Sequence, residues 1–375
     1  MSAATAPISF EALWKRFQAT SSNLALVTRD ARYTYAELGA KADALAARLP
    51  QPVKRKRVGI WCGSTPEFFI AMLAIWRSGA IAVPIDPKDP TGRSIEKIAT
   101  SRLDLLLIKE GLEVPSALQQ TPHLAFNHAQ QTTGGGALQR TLFAPEEIAA
   151  ILFTSGSTGL TKGVMLSYRS ILGNANSMAS ALGLTPADRL LTNIPFHLTS
   201  AIGHFLACLT RGATCIALND MAFGPELTRS LSLYTATAFG GAPIQLARII
   251  GYLDTPEGAN DGANLPLRLV MSSGDALPVA TINNWRRCKP EVDIFTVYGL
   301  TELGARFCVL NPGSLPFKAG SVGKPIDGLS MSLRDDDGTR IDKPNTVGQV
   351  YAQGEFLMEG YFGENSSSRS TLSDH

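Results

Sequence analysis

Five Ser and Thr residues, three glycines and one lysine lie between two apolar runs in ILFTSGSTGLTKGVML, residues 151–166. Glycine permits backbone conformations in which successive N–H groups converge on one anion, and the hydroxyl groups and the Lys162 ammonium add donors and positive charge. This composition is suited to a polyphosphate. The order is not that of a P-loop, because Gly163 follows the lysine where a magnesium-binding hydroxyl is required. Composition alone also leaves a flexible surface linker open.

The residues around this loop predict the elements that position it. From about Arg57 onward, short apolar runs alternate with helix-length segments, for example a strand at 57–62 followed by a helix at 66–79. The run AAILFTS predicts a strand before the loop, and a helix is predicted to start near Ser167. Such alternation indicates an α/β fold with largely parallel sheets that are covered by helices.

The pattern changes after about residue 312. The segment 321–356 is short-stranded, punctuated by glycine and alternating, and Asp337 with Gly338 forms a hairpin turn signal. We predict a small β-barrel or β-meander there. The polar, serine-rich residues 364–375 are predicted to form a disordered tail.

Composition excludes several classes of function. The chain has 375 residues, of which 45% are hydrophobic, and 34 basic and 32 acidic residues nearly cancel. A nucleic-acid footprint is therefore not expected, and the basic run at 54–57 is better explained as a solvated turn. Five scattered cysteines predict buried free thiols rather than a zinc site or a disulfide framework. No secretory signal and no apolar run of about 20 residues is present, so we expect a cytoplasmic protein without a membrane span.

The ordered pattern Thr-Ser-Gly-Ser-Thr-Gly-x-x-Lys-Gly is more specific than composition, and other motifs accompany it. They are YTYAEL at 33–38, RSGAIAVPIDP at 77–87, SSGDALP at 272–278, VYGLTE at 297–302 and GQVYAQGEFLMEGYFGE at 348–364. Together they resemble the adenylate-forming superfamily, which includes acyl- and aryl-CoA synthetases, luciferases and adenylation domains of nonribosomal peptide synthetases. The resemblance implies the large N-terminal domain of that family over 1–363, with two helix-covered, mostly parallel sheets in 1–312 and a small β-barrel in 313–363.

The resemblance also implies ATP and Mg²⁺ as cofactors and a nucleotide site. Lys162 and Thr301 are expected to contact phosphates, Tyr298 to wall the adenine, and Glu302 to support Mg²⁺. A carboxylate beside phosphates is repelled unless a cation lies between them, which agrees with the metal assignment. An ordinary surface glutamate and a structural tyrosine are the alternatives. The implied nucleotide-binding residues are Thr154, Ser155, Gly156, Ser157, Thr158, Gly159, Thr161, Lys162, Gly274, Asp275, Ala276, Tyr298, Gly299 and Thr301.

The segment PFHLTSAIGHF, 195–205, resembles the segment that opens the acyl pocket of acyl- and aryl-CoA synthetases. Amino-acid-activating relatives carry an aspartate where His197 stands, so an α-amino acid is disfavoured. We expect His197 to act in catalysis by approaching a carboxylate, and His204 to share its face if the segment is helical. A purely structural histidine is the alternative at both positions. The segment GGAP, 240–243, is expected to line the floor of the pocket, where its small residues favour an aryl acid over a long fatty acid. The implied acid-binding residues are Phe196, His197, Ala201, Gly240, Gly241, Ala242 and Gly299.

Relatives continue beyond this sequence with a ribose-binding aspartate and a mobile C-terminal domain that carries a lysine, and the sequence stops at His375 before both. We therefore predict an acid-activating ligase of antibiotic or other secondary metabolism with weak or partner-dependent activity. Its acyl-adenylate would pass to a reductase, an amide-forming enzyme or a carrier. The alternatives are a non-catalytic protein that binds an aromatic acid or nucleotide, and a phosphoryl-transferring kinase.

Overall fold

The computed structural model describes residues 8–20, 22–88, 91–114, 118–129, 143–155, 161–218 and 223–363. The helices are α1 (Phe10–Ala19), α2 (Tyr35–Arg48), α3 (Pro66–Arg77), α4 (Thr91–Ser101), α5 (Tyr168–Ala181), α6 (Thr199–Arg211), α7 (Pro225–Leu233), α8 (Pro243–Leu253), α9 (Pro256–Gly262), α10 (Val279–Cys288) and α11 (Leu315–Lys318). The strands are β1 (Leu24–Val27), β2 (Arg32–Thr34), β3 (Arg57–Trp61), β4 (Ile81–Pro84), β5 (Leu105–Lys109), β6 (His123–Phe126), β7 (Ile148–Ser155), β8 (Thr161–Ser167), β9 (Arg189–Thr192), β10 (Thr214–Ala217), β11 (Ala238–Gly241), β12 (Leu269–Ser273), β13 (Asp293–Tyr298), β14 (Cys308–Leu310), β15 (Lys324–Pro325), β16 (Leu329–Arg334), β17 (Gln349–Gly354) and β18 (Gly360–Tyr361).

Two large sheets, as the described residues define them, form the framework. One has the strand order β18-β8-β7-β4-β3-β5-β6, and the other has the order β15-β14-β13-β12-β11-β9-β10-β1-β2. The central strands of both sheets are parallel, whereas β8 and β18 at one edge and β14, β15 and β2 at the others are antiparallel to their neighbours. The predicted α/β class with mostly parallel, helix-covered sheets is confirmed.

The chain between β3 and β4 illustrates why local sequence fixes these elements. Pro66 is the first residue of α3, where its missing N–H leaves no hydrogen bond unmade, and Gly79 follows the helix with a φ of +74°. The helix is apolar on nearly every side, and its residues are buried from Pro66 to Trp76. Such a helix must lie between two apolar layers rather than on the surface.

A single hydrophobic cluster joins both sheets through the helices that lie between them. It contains Val58 and Leu152 of the seven-stranded sheet, Leu190 and Met271 of the nine-stranded sheet, and the apolar side chains of α3. Buried apolar surface of this kind is the main stabilising contribution to a fold. The loops at the edges of the two sheets are therefore held at fixed positions relative to each other.

The region predicted as a small β-barrel contains, among its described residues, the two-stranded antiparallel sheet of β16 and β17. The strands on either side of this pair extend the large sheets, since β15 pairs with β14 and β18 pairs with β8. Gly338 has a φ of +80° in the predicted turn. The predicted tail, 364–375, lies outside the described residues.

The cysteines are free thiols, and four of the five are buried, as the sequence predicts. Within the described ranges, no helix is both long enough and apolar enough to cross a lipid bilayer.

Candidate active site

Several of the predicted acid and nucleotide residues lie at the carboxyl ends of neighbouring parallel strands. Gly240 and Gly241 end β11, Gly274 follows β12, and Tyr298 ends β13. These three strands are adjacent in the nine-stranded sheet. Open α/β sheets bind their ligands at this edge. The fold therefore gathers on one edge segments that are distant in the sequence.

A cavity of about 400 Å³ opens at this edge. The predicted residues 274–276, Tyr298 and Gly299 line it, and the segment 320–322, which the sequence analysis did not predict, completes its wall. The Tyr298 ring lies near Phe307, with ring centroids 6.2 Å apart and ring planes inclined at 51°, and the residue is 37% exposed. Burial raises the pKa of Tyr298, so the phenol is neutral at physiological pH. The exposed ring face is suited to stacking against a flat group.

The described ends of the predicted phosphate loop belong to β7 and β8, which pair as antiparallel strands. Thr154 and Lys162 are partners across this pair, and Ser155 and Thr161 are the terminal residues of its strands. The sequence analysis expected the loop to lead to a helix near Ser167. That helix, α5, does begin after Ser167, but β8 intervenes. The predicted Gly156, Ser157, Thr158 and Gly159 lie outside the described residues.

Tyr361 links the lysine of β8 to the Thr-Glu pair of VYGLTE. The Lys162 Nζ atom lies 4.7 Å from the centroid of the Tyr361 ring. The Tyr361 hydroxyl donates a hydrogen bond of 3.0 Å to Glu302 Oε1. Because β18 pairs with β8, Tyr361 stands beside Val164, close to the lysine. The structure thus brings Lys162 and Glu302 together, and Tyr361 is a contact that the sequence analysis missed.

Thr301 connects this group to the start of α6. Its Oγ1 atom lies 3.0 Å from Thr199 Oγ1, and Thr199 is the first residue of α6. The segment 195–205, which is predicted to open the acid pocket, therefore adjoins the Thr-Glu pair.

Asn174 on α5 fixes the turn that follows the Thr-Glu pair. Its Nδ2 donates to the carbonyls of Leu303 at 2.8 Å and Arg306 at 2.6 Å, and its Oδ1 accepts from Arg306 N at 3.1 Å. Ala305 has a φ of +127°, which is unfavourable for a residue with a Cβ. Glycine is required at position 299, which packs against this turn, because a Cβ there would lie 1.9 Å from Ala305 O. The turn is held rigidly enough to maintain a strained conformation.

His197 forms a pair with Asp86, which follows β4. The His197 Nδ1 atom lies 3.2 Å from Asp86 Oδ2. Burial acts to raise the pKa of Asp86, but the hydrogen bonds from His197 and the Lys88 backbone outweigh it and lower that pKa. An ionised carboxylate only accepts, so Nδ1 carries the proton and Nε2 faces away from this pair.

His204 does not share a helix face with His197, because α6 begins at Thr199 and His197 precedes it. His204 is buried, its Nδ1 lies 3.0 Å from Thr192 Oγ1, and its Nε2 lies 2.8 Å from Arg306 Nη2. Burial and the neighbouring Arg306 charge hold the pKa of His204 well below 6.5. The structural alternative fits His204.

Two other predicted acid contacts differ from expectation. Phe196 is completely buried, with its ring centroid 4.8 Å from that of Phe69, so it packs in the core instead of lining a pocket. Gly240 does not leave open space, because a Cβ there would lie 2.5 Å from His204 Cε1. Ala201 is buried in the first turn of α6, and Gly241 and Ala242 lead into α8 beside Gln245, whose Oε1 accepts from Ala242 N at 2.8 Å.

The donor set near Glu302 fits a magnesium ion that is held mainly by a nucleotide. The described residues contain no group of three His, Cys, Asp or Glu side chains placed to hold a metal. Mg²⁺ usually keeps several waters and uses one or two carboxylates together with substrate phosphates. One carboxylate beside a lysine agrees with this coordination.

Comparisons with known proteins agree with this arrangement. The family model described as AMP-binding enzyme matches residues 13–362. The chain is 25% identical over 367 residues to the 2-succinylbenzoate–CoA ligase of Bacillus velezensis, covering 96% of this chain and 72% of that protein. It is 27% identical over 369 residues to novobiocin biosynthesis protein H of Streptomyces niveus, covering 93% of this chain. It is 26% identical over 343 residues to the mitochondrial malonate–CoA ligase of Mus musculus, covering 85% of this chain. The chain spans 58% of the length of each of the last two relatives.

Solved structures share the fold. The inhibitor-bound N-terminal domain of FACL13 from Mycobacterium tuberculosis superposes with a TM-score of 0.83 at 22% identity, covering 96% of this chain and 92% of that one. O-succinylbenzoate coenzyme A synthetase from Bacillus subtilis, in complex with AMP, gives the same TM-score, identity and coverage.

Proposed function

This chain belongs to the AMP-binding enzyme family, and on that premise we propose that it joins a carboxylic acid to the α-phosphate of ATP. In this reaction a carboxylate oxygen attacks the α-phosphorus, and the bond to the bridging oxygen of pyrophosphate breaks. The products are an acyl-adenylate and pyrophosphate. A protein accelerates such a transfer mainly by neutralising charge and by holding the reacting groups in line.

The observation that best supports this proposal is that Lys162 and Glu302 both contact the side chain of Tyr361. The ammonium lies over the Tyr361 ring and the carboxylate accepts from the Tyr361 hydroxyl, so both charges face one small region. Lys162 would neutralise the outer phosphates, and Thr301 would donate to the α-phosphate. With Glu302, the nucleotide's oxygens would hold Mg²⁺, which supplies charge neutralisation when bound.

The cavity beside Tyr298 is the proposed adenine site. Its volume of about 400 Å³ is large enough for a purine nucleoside, and the exposed ring face supplies a stacking surface. The Bacillus subtilis synthetase, which shares this fold, was solved in complex with AMP, and this supports an adenine nucleotide as the ligand. The backbone of 274–276 would bound the opposite face of the base.

The acid would approach the start of α6, where Thr199 contacts Thr301. His197 precedes this helix, and its Nε2 atom faces away from Asp86. We propose an aromatic acid, in agreement with the 2-succinylbenzoate–CoA ligase among the relatives. A reductase, an amide-forming enzyme or a carrier protein would then consume the acyl-adenylate. His197, oriented by the Asp86 carboxylate, would contact the reacting carboxylate.

Acid-dependent exchange of pyrophosphate into ATP tests the proposal. We expect exchange above the acid-free blank with at least one aryl acid in a panel of aryl and fatty acids, and AMP rather than ADP as the nucleotide product. Thr301→Val should reduce this exchange, whereas Thr339→Val, in an exposed turn, should not. Binding of acid and ATP without exchange would instead identify a non-catalytic binding protein, and ADP formation would identify a kinase.

A further inference from the structure

Arg306 is a buried cation whose polar contacts with other described residues are with neutral groups. The residue is 3% exposed. Its Nη1 donates to Ser200 Oγ at 3.2 Å, and its Nη2 donates to His204 Nε2 at 2.8 Å and more weakly to Ser200 O at 3.5 Å. Within the described part of the chain no carboxylate forms an ion pair with it. Arg268, by contrast, donates through two nitrogens to Asp188.

The neutral partners cannot compensate this charge. An arginine only donates, so His204 Nε2 must accept, and the other ring nitrogen donates to Thr192 Oγ1. Burial lowers the pKa of Arg306 to about 10, which still leaves the guanidinium charged at neutral pH. A buried charge is unfavourable unless an opposite charge accompanies it. The protein alone, as described, does not supply that opposite charge.

The start of α6 is a second feature that favours an anion at the same place. Its N-cap, Leu198, has no side-chain hydrogen bond to the first turn. The free N–H groups of a helix N-terminus carry partial positive charge and bind anions. Ser200, which Arg306 contacts, lies in this first turn. The guanidinium and the helix terminus thus present positive potential to one region.

We propose that Arg306 and the first turn of α6 bind a second carboxylate of the acid that this protein activates. The inference rests on the proposed function and deepens it, because it assigns the substrate to the dicarboxylic acids. Gly299 lines the cavity and packs against the backbone of Arg306, since a Cβ there would lie 3.0 Å from Arg306 Cα, so Arg306 adjoins the wall of the proposed nucleotide site. The second carboxylate would pair with the guanidinium through charge-assisted hydrogen bonds.

The geometry also limits the spacing of the two carboxylates. The reacting carboxylate must lie near Thr301, whose hydroxyl contacts Thr199 at the start of α6. His204 lies about 7.5 Å further along the helix axis than Thr199, at about 1.5 Å per residue. Because Arg306 bonds to both Ser200 and His204, its guanidinium lies between these levels. Carboxylates separated by up to roughly 7.5 Å along this axis fit this arrangement, which includes those on meta and para positions of a benzene ring.

Direct binding tests this inference without requiring turnover. We would titrate isophthalate, terephthalate, glutarate and adipate, each against its monomethyl ester, by calorimetry in the presence of a non-hydrolysable ATP analogue. At least one diacid should bind about tenfold or more tightly than its half-ester. Equal affinity of diacid and half-ester across every pair in the wild-type protein would overturn the proposal, and this comparison needs no variant.

Substitution of Arg306 assigns the preference to that residue. Arg306→Gln should reduce the ratio of the two affinities to about one, and Arg306→Lys should retain part of it, because the ammonium keeps the charge but not the forked geometry. Arg248→Gln, an exposed arginine on α8, should leave the ratio unchanged. Folding of each variant is checked by urea denaturation. A preference that persists in folded Arg306→Gln would also overturn the proposal.

Pyrophosphate exchange separates this inference from the proposed function. Exchange with benzoate-type monoacids and no preference for diacids would leave the function standing and overturn the dicarboxylate assignment. Diacid binding that depends on Arg306, with no exchange for any acid, would support the assignment and contradict the function.

Discussion

Replacement of Lys162 by methionine should weaken the binding of Mg²⁺·ATP about 30- to 150-fold and leave the fold intact. The ammonium is half-buried and lies over the Tyr361 ring, 4.7 Å from its centroid. Methionine removes the charge but keeps an unbranched side chain, which retains contact with the ring. The substitution therefore isolates the electrostatic contribution of Lys162 to nucleotide binding.

The magnitude follows from the position of the lysine. An ammonium about 4 Å from one phosphate charge is attracted by about 4 kcal/mol at an effective dielectric constant of about 20. The free protein already stabilises the ammonium by about 0.5–1 kcal/mol through the ring, and binding removes further water from it. The net effect is about 2–3 kcal/mol, which corresponds to the stated change in the dissociation constant. The free energy of unfolding should fall by about 1 kcal/mol at most, because only the ring contact changes.

Calorimetric titration with Mg²⁺·ATP measures the dissociation constant, and urea denaturation measures the free energy of unfolding. Lys15→Met is the matched control, since Lys15 is an exposed lysine on α1 that pairs with Glu11 at 3.4 Å. Its nucleotide affinity should equal that of the wild-type protein. A folded Lys162→Met protein with unchanged affinity would refute the placement of the phosphates beside this lysine.

The metal requirement, the acid stability and the packing of the turn can each be tested with one substitution. Glu302→Gln keeps an acceptor for its hydroxyl partner but removes the negative charge, so the Mg²⁺ concentration for half-maximal exchange should rise about tenfold. Burial acts to raise the pKa of Asp188, but hydrogen bonds, first from Arg268, hold it at about 2, below the usual 3.8. The carboxylate therefore contributes about 2 kcal/mol of stability that is present above about pH 4 and is lost as the pH falls towards 2, and Asp188→Asn should not show this loss. Gly299→Ala would place Cβ 1.9 Å from Ala305 O and should reduce the free energy of unfolding by about 3 kcal/mol or more.

Each of these expectations has an outcome that contradicts it. An unchanged Mg²⁺ dependence in Glu302→Gln would remove the metal role. Parallel loss of stability in the wild-type protein and Asp188→Asn between pH 5 and pH 2, measured by urea denaturation, would assign acid unfolding to other groups. An unchanged free energy of unfolding in Gly299→Ala would mean that the turn can shift to accept the Cβ without loss of stability.

Helices and strands whose ends are determined by nearby residues could be predicted from the sequence. The strand at 57–62 and the helix at 66–79 correspond to β3 and α3, because apolar runs, Pro66 and Gly79 act within a few residues of each other. The strand β8 was not predicted. Its apolar run is short, and its pairing with β7 and β18 depends on contacts that the local sequence does not contain.

The same distinction applies to the site. Lys162, Tyr298 and Glu302 lie in contiguous motifs and could be selected by residue type and order. Tyr361 and Arg306 acquire their partners only through the fold, since Arg306 contacts residues 200 and 204 on another helix. A single arginine within the apolar run ARFCVL, 305–310, is the signal that could have identified it, because a charge in such a run is rarely left without an opposite charge.

The pairing of β18 with β8 determines when the proposed nucleotide site can form in a growing polypeptide. Until Gly360 and Tyr361 have left the ribosome, one edge of β8 has no partner and Glu302 lacks its tyrosine. If the proposed function holds, nascent chains that are still short of this strand should not respond to ATP, whereas chains that extend beyond it should be stabilised by ATP. Under the proposed function, a response to ATP would therefore show that synthesis has passed β18.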